Sequence, residues 1–482
     1  MKLIYNTDAT PKQMGYGQTL LFALQQLLAI LAATILVPII INGNVSGEGG
    51  AGLPNPGMTV AAALFGAGVG TLVYQLFTKF RSPVFLGSSF AFLSSMTVAF
   101  TGALTATALG FLGLIIGAIL AGLVYVGLAL VVKFVGSGWV DKLMPAAIIG
   151  PTVAIIGLSL AGNAVSDSLG AAGGVVDGSV IGYKGLIFLV LALITLFTVV
   201  ICSVNNKKMI KLIPFVIGIG VGYAIAAILT AIGNAADVEV LKIVNFDAFK
   251  HMDWKPDFSF LHAFKGFKAM NAAYFGTIAV AYIPVAFVVF AEHIADHKNL
   301  SSIIGKDLLA DPGLDKTLLG DGVGSMAGAF FGGCPNTTYG ESIGCVAISG
   351  NASVWTVTCA AFMAIIASFI TPFVTLLSTI PSCVMGGVCF ALYGFIAVSG
   401  LKMLQKVDLS DNKNLFTVSS ILIAGVGGLS LNFVFSKGQI TLTSVACALI
   451  LGIVVRLIAS SKFFNKEDAA PAEVSADEGD KE

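Results

Sequence analysis

Glu292 and Asp296 lie four residues apart inside an apolar run, 272–296, that otherwise has the length and composition of a membrane span. Glu341 follows a short Gly-rich turn, GGCPNTTYGE over 332–341. A carboxylate at membrane depth costs roughly 2.5–3.5 kcal/mol even on lenient insertion scales, so such acids are kept mainly where they handle a substrate, protons or both. The plainer reading is a side chain snorkelling from a helix end. Spacing argues against it here: residues four apart share a helix face, so Glu292 and Asp296 can point into one cavity. One carboxylate can then accept a ligand's N–H groups while another takes up a coupled proton.

His293 and His297 are also four apart, which raises a zinc site. The metalloprotease pattern places Glu directly after the first His. In this chain Glu292 precedes it, and His251 and His262 are the only other histidines, so no third ligand is apparent. No metal and no organic cofactor is expected; the proton is the coupling ion. His293 points about 100° away from Glu292 around the helix, which suits packing or a role at the helix end.

The composition excludes a soluble enzyme. Of 482 residues, 56% are hydrophobic and 11% charged, against about 25% charged in soluble domains. Apolar runs this long mean an all-α polytopic membrane protein embedded in the lipid bilayer, because barrel strands are shorter. The 56 glycines suit helices that approach closely in lipid. The seven cysteines show no C-x-x-C spacing and read as small packing residues. With a net charge of zero, nothing favours a nucleic-acid partner.

About fourteen segments can be placed, near 18–42, 58–79, 84–99, 104–134, 143–162, 183–202, 210–232, 272–297, 316–333, 339–350, 353–377, 382–403, 415–433 and 438–460. Basic residues cluster in every second connection, for example at Lys79 and Arg81, Lys207 to Lys211, and Lys402 to Lys413; the exception is the longer stretch from about 233 to 271, which holds five lysines on the expected outer side. The positive-inside rule makes those connections cytoplasmic and puts both termini inside. The stretch 234–271 reads as an extracellular excursion rich in aromatics such as Phe246, Trp254 and Phe258. The stretch 463–482 reads as a disordered acidic cytoplasmic tail.

Two halves share a layout. The third and tenth segments are short, and each begins with a Pro and a Gly/Ser/Thr-rich stretch. Pro335 lies 252 residues after Pro83 (335 − 83 = 252). Paired short, interrupted segments mark the binding site of an inverted-repeat transporter. Seven segments per half, an odd number, give opposite orientations. The extended pieces are expected at 85–90 and 334–340, with half-helices starting near Phe90 and Glu341, whose first N–H groups are free for a ligand.

At these residues the chain resembles a known family. AEHIAD over 291–296, KDLLADPGL over 306–314, PNTTYGE over 335–341 and LGSSFAF over 86–92 are similar to the nucleobase–ascorbate transporter (nucleobase:cation symporter-2) family, and within it to the bacterial uracil permeases. Segment 1 to Pro38, GWVD over 138–141, VMGG over 384–387 and LYG over 392–394 extend the likeness to nearly the whole chain. The resemblance implies a homodimer in the bacterial inner membrane that imports a nucleobase with protons. It implies a core domain (1–135 with segments 1–4, 272–378 with segments 8–11) and a gate domain (136–233 with segments 5–7, 379–462 with segments 12–14).

By motif position, Glu292 and Glu341 hold the nucleobase, Phe90, Tyr339 and Gly340 contact it, and Tyr393 touches it from the gate. Asp296 matches a proton-coupling position, and Glu292 is expected to share in the coupling as well as hold the base. Gly386 and Gly387 are expected to permit close approach where segment 12 meets the core. Gln26 stands where some uracil permeases carry His, and Ser342 where Asn is usual, so these two positions bear on selectivity. Uracil is the first substrate expected, and xanthine or another oxopurine the second. An uncoupled nucleobase facilitator is the competing mechanism. An anion exchanger of related fold would want basic residues at the half-helices, and none is present.

Overall fold

The computed structural model describes residues 3–46, 51–103, 107–170, 182–207, 210–211, 213–250, 252, 260–405, 407–435 and 438–460. The expected acidic tail, 463–482, and Trp254 and Phe258 of the excursion lie outside them. Within them the chain is an all-α polytopic membrane protein. Eight helices are long and apolar enough to cross a membrane, or nine if one bent pair counts as a span.

The first half contains α1 (Tyr16–Ser46), α2 (Val60–Phe77), a short strand β1 (Leu86–Ser88), α3 (Leu93–Gly102) and α4 (Thr107–Val135). It continues with α5 (Ala146–Leu169), α6 (Tyr183–Ser203) and α7 (Pro214–Ala236). The second half repeats the pattern with α8 (Ala272–Ile304), α9 (Leu314–Phe330), β2 (Asn336–Thr338), α10 (Gly340–Ser349) and α11 (Val354–Ser368). It ends with α12 (Ser382–Leu404), α13 (Asn412–Val426), a hairpin of β3 (Leu431–Phe435) and β4 (Gly438–Leu442), and α14 (Ser444–Ala459). After α11 the chain bends by 85° into Thr371–Ser378, where Pro372 sits in the first turn of the new helix and cannot continue the old one.

The hairpin corrects two expected segments. Residues 431–433 and 438–442 read as parts of membrane helices; instead α13 stops at Val426, ahead of Gly427 and Gly428, and Gly428 has φ +70°. The strand-favouring runs Phe433-Val434-Phe435 and Ile440-Thr441 then lie in a hairpin that pairs Leu431 with Leu442 and Phe435 with Gly438. The side chain of Thr443 caps the start of α14. β4 packs on α8.

The two extended pieces come together as one antiparallel pair. Leu86 faces Thr338, Gly87 faces Thr337 and Ser88 faces Asn336. Flanking bonds continue the ladder, from Ser89 N to Pro335 O (2.9 Å) and from Tyr339 N to Phe85 O (3.2 Å). Irregular backbone survives at membrane depth only when its polar groups are paired inside the protein, and each piece does this for the other. Gly87 is needed at the crossing, because a Cβ there would lie 2.3 Å from the Tyr339 ring.

Around this crossing α9 packs between α2 and α4, α8 against α4, and α11 against α1 and α2. A second group forms where α12 packs on α5 and α6, and α13 on α14 and α5. The groups meet where α8 touches α5 and α14, and where α1 touches α7. Gly386 and Gly387 do not face α8 or α10. A Cβ on Gly386 would lie 2.4 Å from Ser168 N of α5, and one on Gly387 2.3 Å from Ala192 O of α6. These glycines seat α12 on its own neighbours rather than on the acid-bearing helices, because that is where backbone meets backbone.

Candidate functional site

α8 is started by Asn271, whose Oδ1 accepts from Tyr274 N (2.8 Å), and is ended by left-handed Gly305. Its 33 residues carry Glu292 and Asp296 to the strand crossing. α10 begins there too: Tyr339 is its N-cap without a side-chain cap bond, and Glu341 lies in the first turn. The uncapped N–H groups and the positive end of the helix dipole favour an acceptor or an acid at that end.

Glu292, Asp296 and Glu341 line a single cavity of about 500 Å³, together with Phe90, Thr338, Tyr339 and Gly340. The cavity extends to Lys211, Asn299 and Lys402, all exposed. Asp296 Oδ2 accepts from Thr338 Oγ1 at 2.6 Å, which ties α8 to β2. Glu292 Oε2 is buried without a hydrogen-bond partner among the described residues. Tyr339 donates its hydroxyl to Ser88 O (2.9 Å), so its ring is fixed against β1.

Three of the expected residues stand back from the cavity wall. Tyr393 is 3% exposed, and its ring meets Phe90 edge-on at 5.6 Å, joining α12 to the β1–α3 turn. Gln26 and Ser342 touch each other instead: Gln26 Nε2 donates to Ser342 Oγ and to Ser342 O (3.3 Å). That contact locks α1 to the residue next to Glu341.

Sequence reasoning missed a fourth intramembrane acid. Asp321 of α9 is 1% exposed and lies 2.7 Å from His293 Nδ1, whose Nε2 is 3.0 Å from Thr317 Oγ1. His297 Nδ1 donates to His293 O (2.8 Å), so its Nε2 is left to meet the Tyr74 hydroxyl (2.8 Å). The signal was an acid between two glycines in a small-residue segment, Gly320-Asp321-Gly322. The two histidines thus bolt the back of α8 to α9 and α2 while its acids face the cavity. No group of three or more His, Cys, Asp or Glu among the described residues can hold a metal. Replacing His293 by Ala strands the Asp321 carboxyl, and an unpaired buried group costs about 1–3 kcal/mol. The variant is expected to unfold earlier in a thermal scan of the solubilised protein, whereas His293→Gln, which can still donate, recovers part of the loss.

This is the architecture of a membrane transporter: interrupted elements from two chain halves cross beside acids in a cavity. The model of a family described as "Permease family" matches residues 17–434. The uracil permease of Bacillus subtilis is 38% identical over 440 residues, covering 91% of each chain. That of Bacillus caldolyticus is 37% identical over 444 residues, covering 92% of each. Among solved structures, the transmembrane domain of the cyanobacterial bicarbonate transporter BicA shares the fold, with a TM-score of 0.55 at 17% identity over 95% of this chain and 98% of that one. The chain belongs to this permease family, that of the nucleobase:cation symporters-2, and is a transport protein rather than an enzyme.

Proposed function

We propose that the protein is a proton-coupled importer of uracil in the bacterial cytoplasmic membrane. The observation that carries the reading is that Glu292, Asp296 and Glu341, from two separate elements, line one cavity at the crossing of the interrupted segments. The relatives' description as uracil permeases supports the substrate. A pyrimidine-dione alternates N–H donors and carbonyl acceptors along its edge. Glu292 and Glu341 accept the N–H groups, backbone N–H groups at the start of α10 donate to a carbonyl, and Phe90 and Tyr339 cover the ring. Asp296, already bonded to Thr338, takes the coupled proton.

In this reading α1–α4 and α8–α11 form the core, and α5–α7 and α12–α14 the gate, in a homodimer with both termini on the lysine-rich face. The Phe90–Tyr393 contact supports closure on one side, and the exposed mouth beside Lys211 and Lys402 supports access on the other. Rocking core against gate would exchange the two.

Xanthine or another oxopurine is the second reading, because a cavity of about 500 Å³ also has room for a two-ring base. Competition against labelled uracil uptake decides between them. 5-Fluorouracil is expected to compete and xanthine and uric acid to leave uptake unchanged; the reverse pattern would make the protein an oxopurine carrier. Uptake that survives collapse of the proton gradient would identify an uncoupled facilitator.

A further inference from the structure

α10 is a ten-residue helix buried along one side, at Ser342, Ile343, Cys345, Val346 and Ser349. It packs on α1 and α8, and its Gly340, Glu341, Gly344, Ala347 and Ile348 border the cavity. Such a rod, about 15 Å long, transmits any tilt at its far end to the acid in its first turn.

Its far end is held by the segment that precedes α1. Ile4 N and Tyr5 N both donate to Gly350 O (2.8 and 3.2 Å), Ala352 N donates to Tyr5 O (3.0 Å) and Val354 N to Thr7 O (3.2 Å). Ser353 Oγ closes the run on Ala9 O at 2.6 Å. Tyr5 pairs with Asn351 as a parallel β-bridge. Gly350 is the left-handed C-cap of α10, φ +72°, so the strap grips the residue on which the helix ends. The strap is itself anchored. Tyr5 donates its hydroxyl to Gln18 (2.8 Å) and sets its ring edge-on to Phe22 of α1. Leu3 packs on a cluster that includes Ile343 and Val346 of α10.

We infer that residues 3–9 are a positioning element of the transport site: a strap that fixes α10 against α1 and thereby sets where Glu341 stands. One flank of α10 borders the cavity, so its packing on α1 and α8, the Gln26–Ser342 contact and the strap at its far end together hold the helix in register. Loosening the strap weakens substrate binding through Glu341, although no strap residue borders the cavity. The inference rests on the reading of Glu341 as a uracil ligand.

Ile4→Pro removes one donor to Gly350 at an exposed side chain, and Ser353→Ala removes the bond to Ala9. Each is made in the full chain, alone and with Glu341→Gln. Uracil affinity is read by displacement calorimetry, and uptake in proteoliposomes is split into KM and maximal rate. Each strap variant is expected to raise Kd and KM about tenfold with the maximal rate retained, and to add nothing in the Glu341→Gln background, as coupled sites do. Wild-type affinity in both strap variants, or losses that add fully to that of Glu341→Gln, would overturn the strap. Should Ile4→Pro fail to fold, the Ser353→Ala cycle decides alone. If Glu341→Gln itself binds uracil normally, the substrate reading falls and the strap inference with it, whereas loss confined to Glu341→Gln removes the strap only.

Discussion

Replacing Glu292 or Glu341 by Gln is expected to weaken uracil binding by about 10- to 150-fold, the equivalent of one charge-assisted hydrogen bond at about 1.5–3 kcal/mol. Gln keeps the shape of Glu but turns half of a pure acceptor into a donor, which then faces the substrate N–H. Both acids line the cavity from different elements, so each loss should appear separately. Glu292 carries the sharper expectation, because its buried Oε2 makes no bond to the described residues that a substitution could preserve. Calorimetry on the purified variants gives the affinities, and a thermal scan checks that the fold is intact. Wild-type affinity in both would remove these acids from the substrate site.

Asp296→Asn should separate transport from proton coupling. The carboxylate sits one turn beyond Glu292, and Thr338 holds it at 2.6 Å. Asn can still accept that bond through its side-chain carbonyl but cannot take up a proton. One proton moved down ~150 mV supplies about 3.5 kcal/mol, enough for a roughly 300-fold gradient. The variant in proteoliposomes is therefore expected to exchange labelled uracil across the bilayer while failing to concentrate it under an imposed pH gradient. Concentrative uptake at the wild-type level would transfer the coupling role to another acid: Glu292, one turn away on the same face, or Asp321, which meets His293 on the back of α8.

Much of this site could be read from the chain because its signals are local. A carboxylate in a long apolar run and a Pro/Gly break in a short one each violate the membrane's rules, and both violations are visible in a window of a few residues. The helix period then placed Glu292 and Asp296 on one face, where the cavity finds them. What stayed hidden is what depends on distant partners. Nothing in Leu86–Ser88 announces that it pairs with Asn336–Thr338, and nothing in VMGG states which helix will meet its glycines. Asp321 escaped notice because a single acid among glycines resembles a helix-end residue until His293 arrives beside it. The hairpin of β3 and β4 was misread for a related reason: its apolar content matches that of a span, and only the paired glycines after α13 mark the break.

The β1–β2 ladder also carries a consequence for biogenesis. Ser89 N waits for Pro335 O, and at about 5–20 residues per second the ribosome takes about 12–50 s to make the intervening chain. During that interval the first half has entered the bilayer with an unsatisfied strand edge at membrane depth, where nothing but protein or trapped water can pair it. The candidate site thus exists only once the second half has reached Glu341. The permease cannot bind its substrate while half-made, and the insertion machinery must shelter β1 until the second half closes over it.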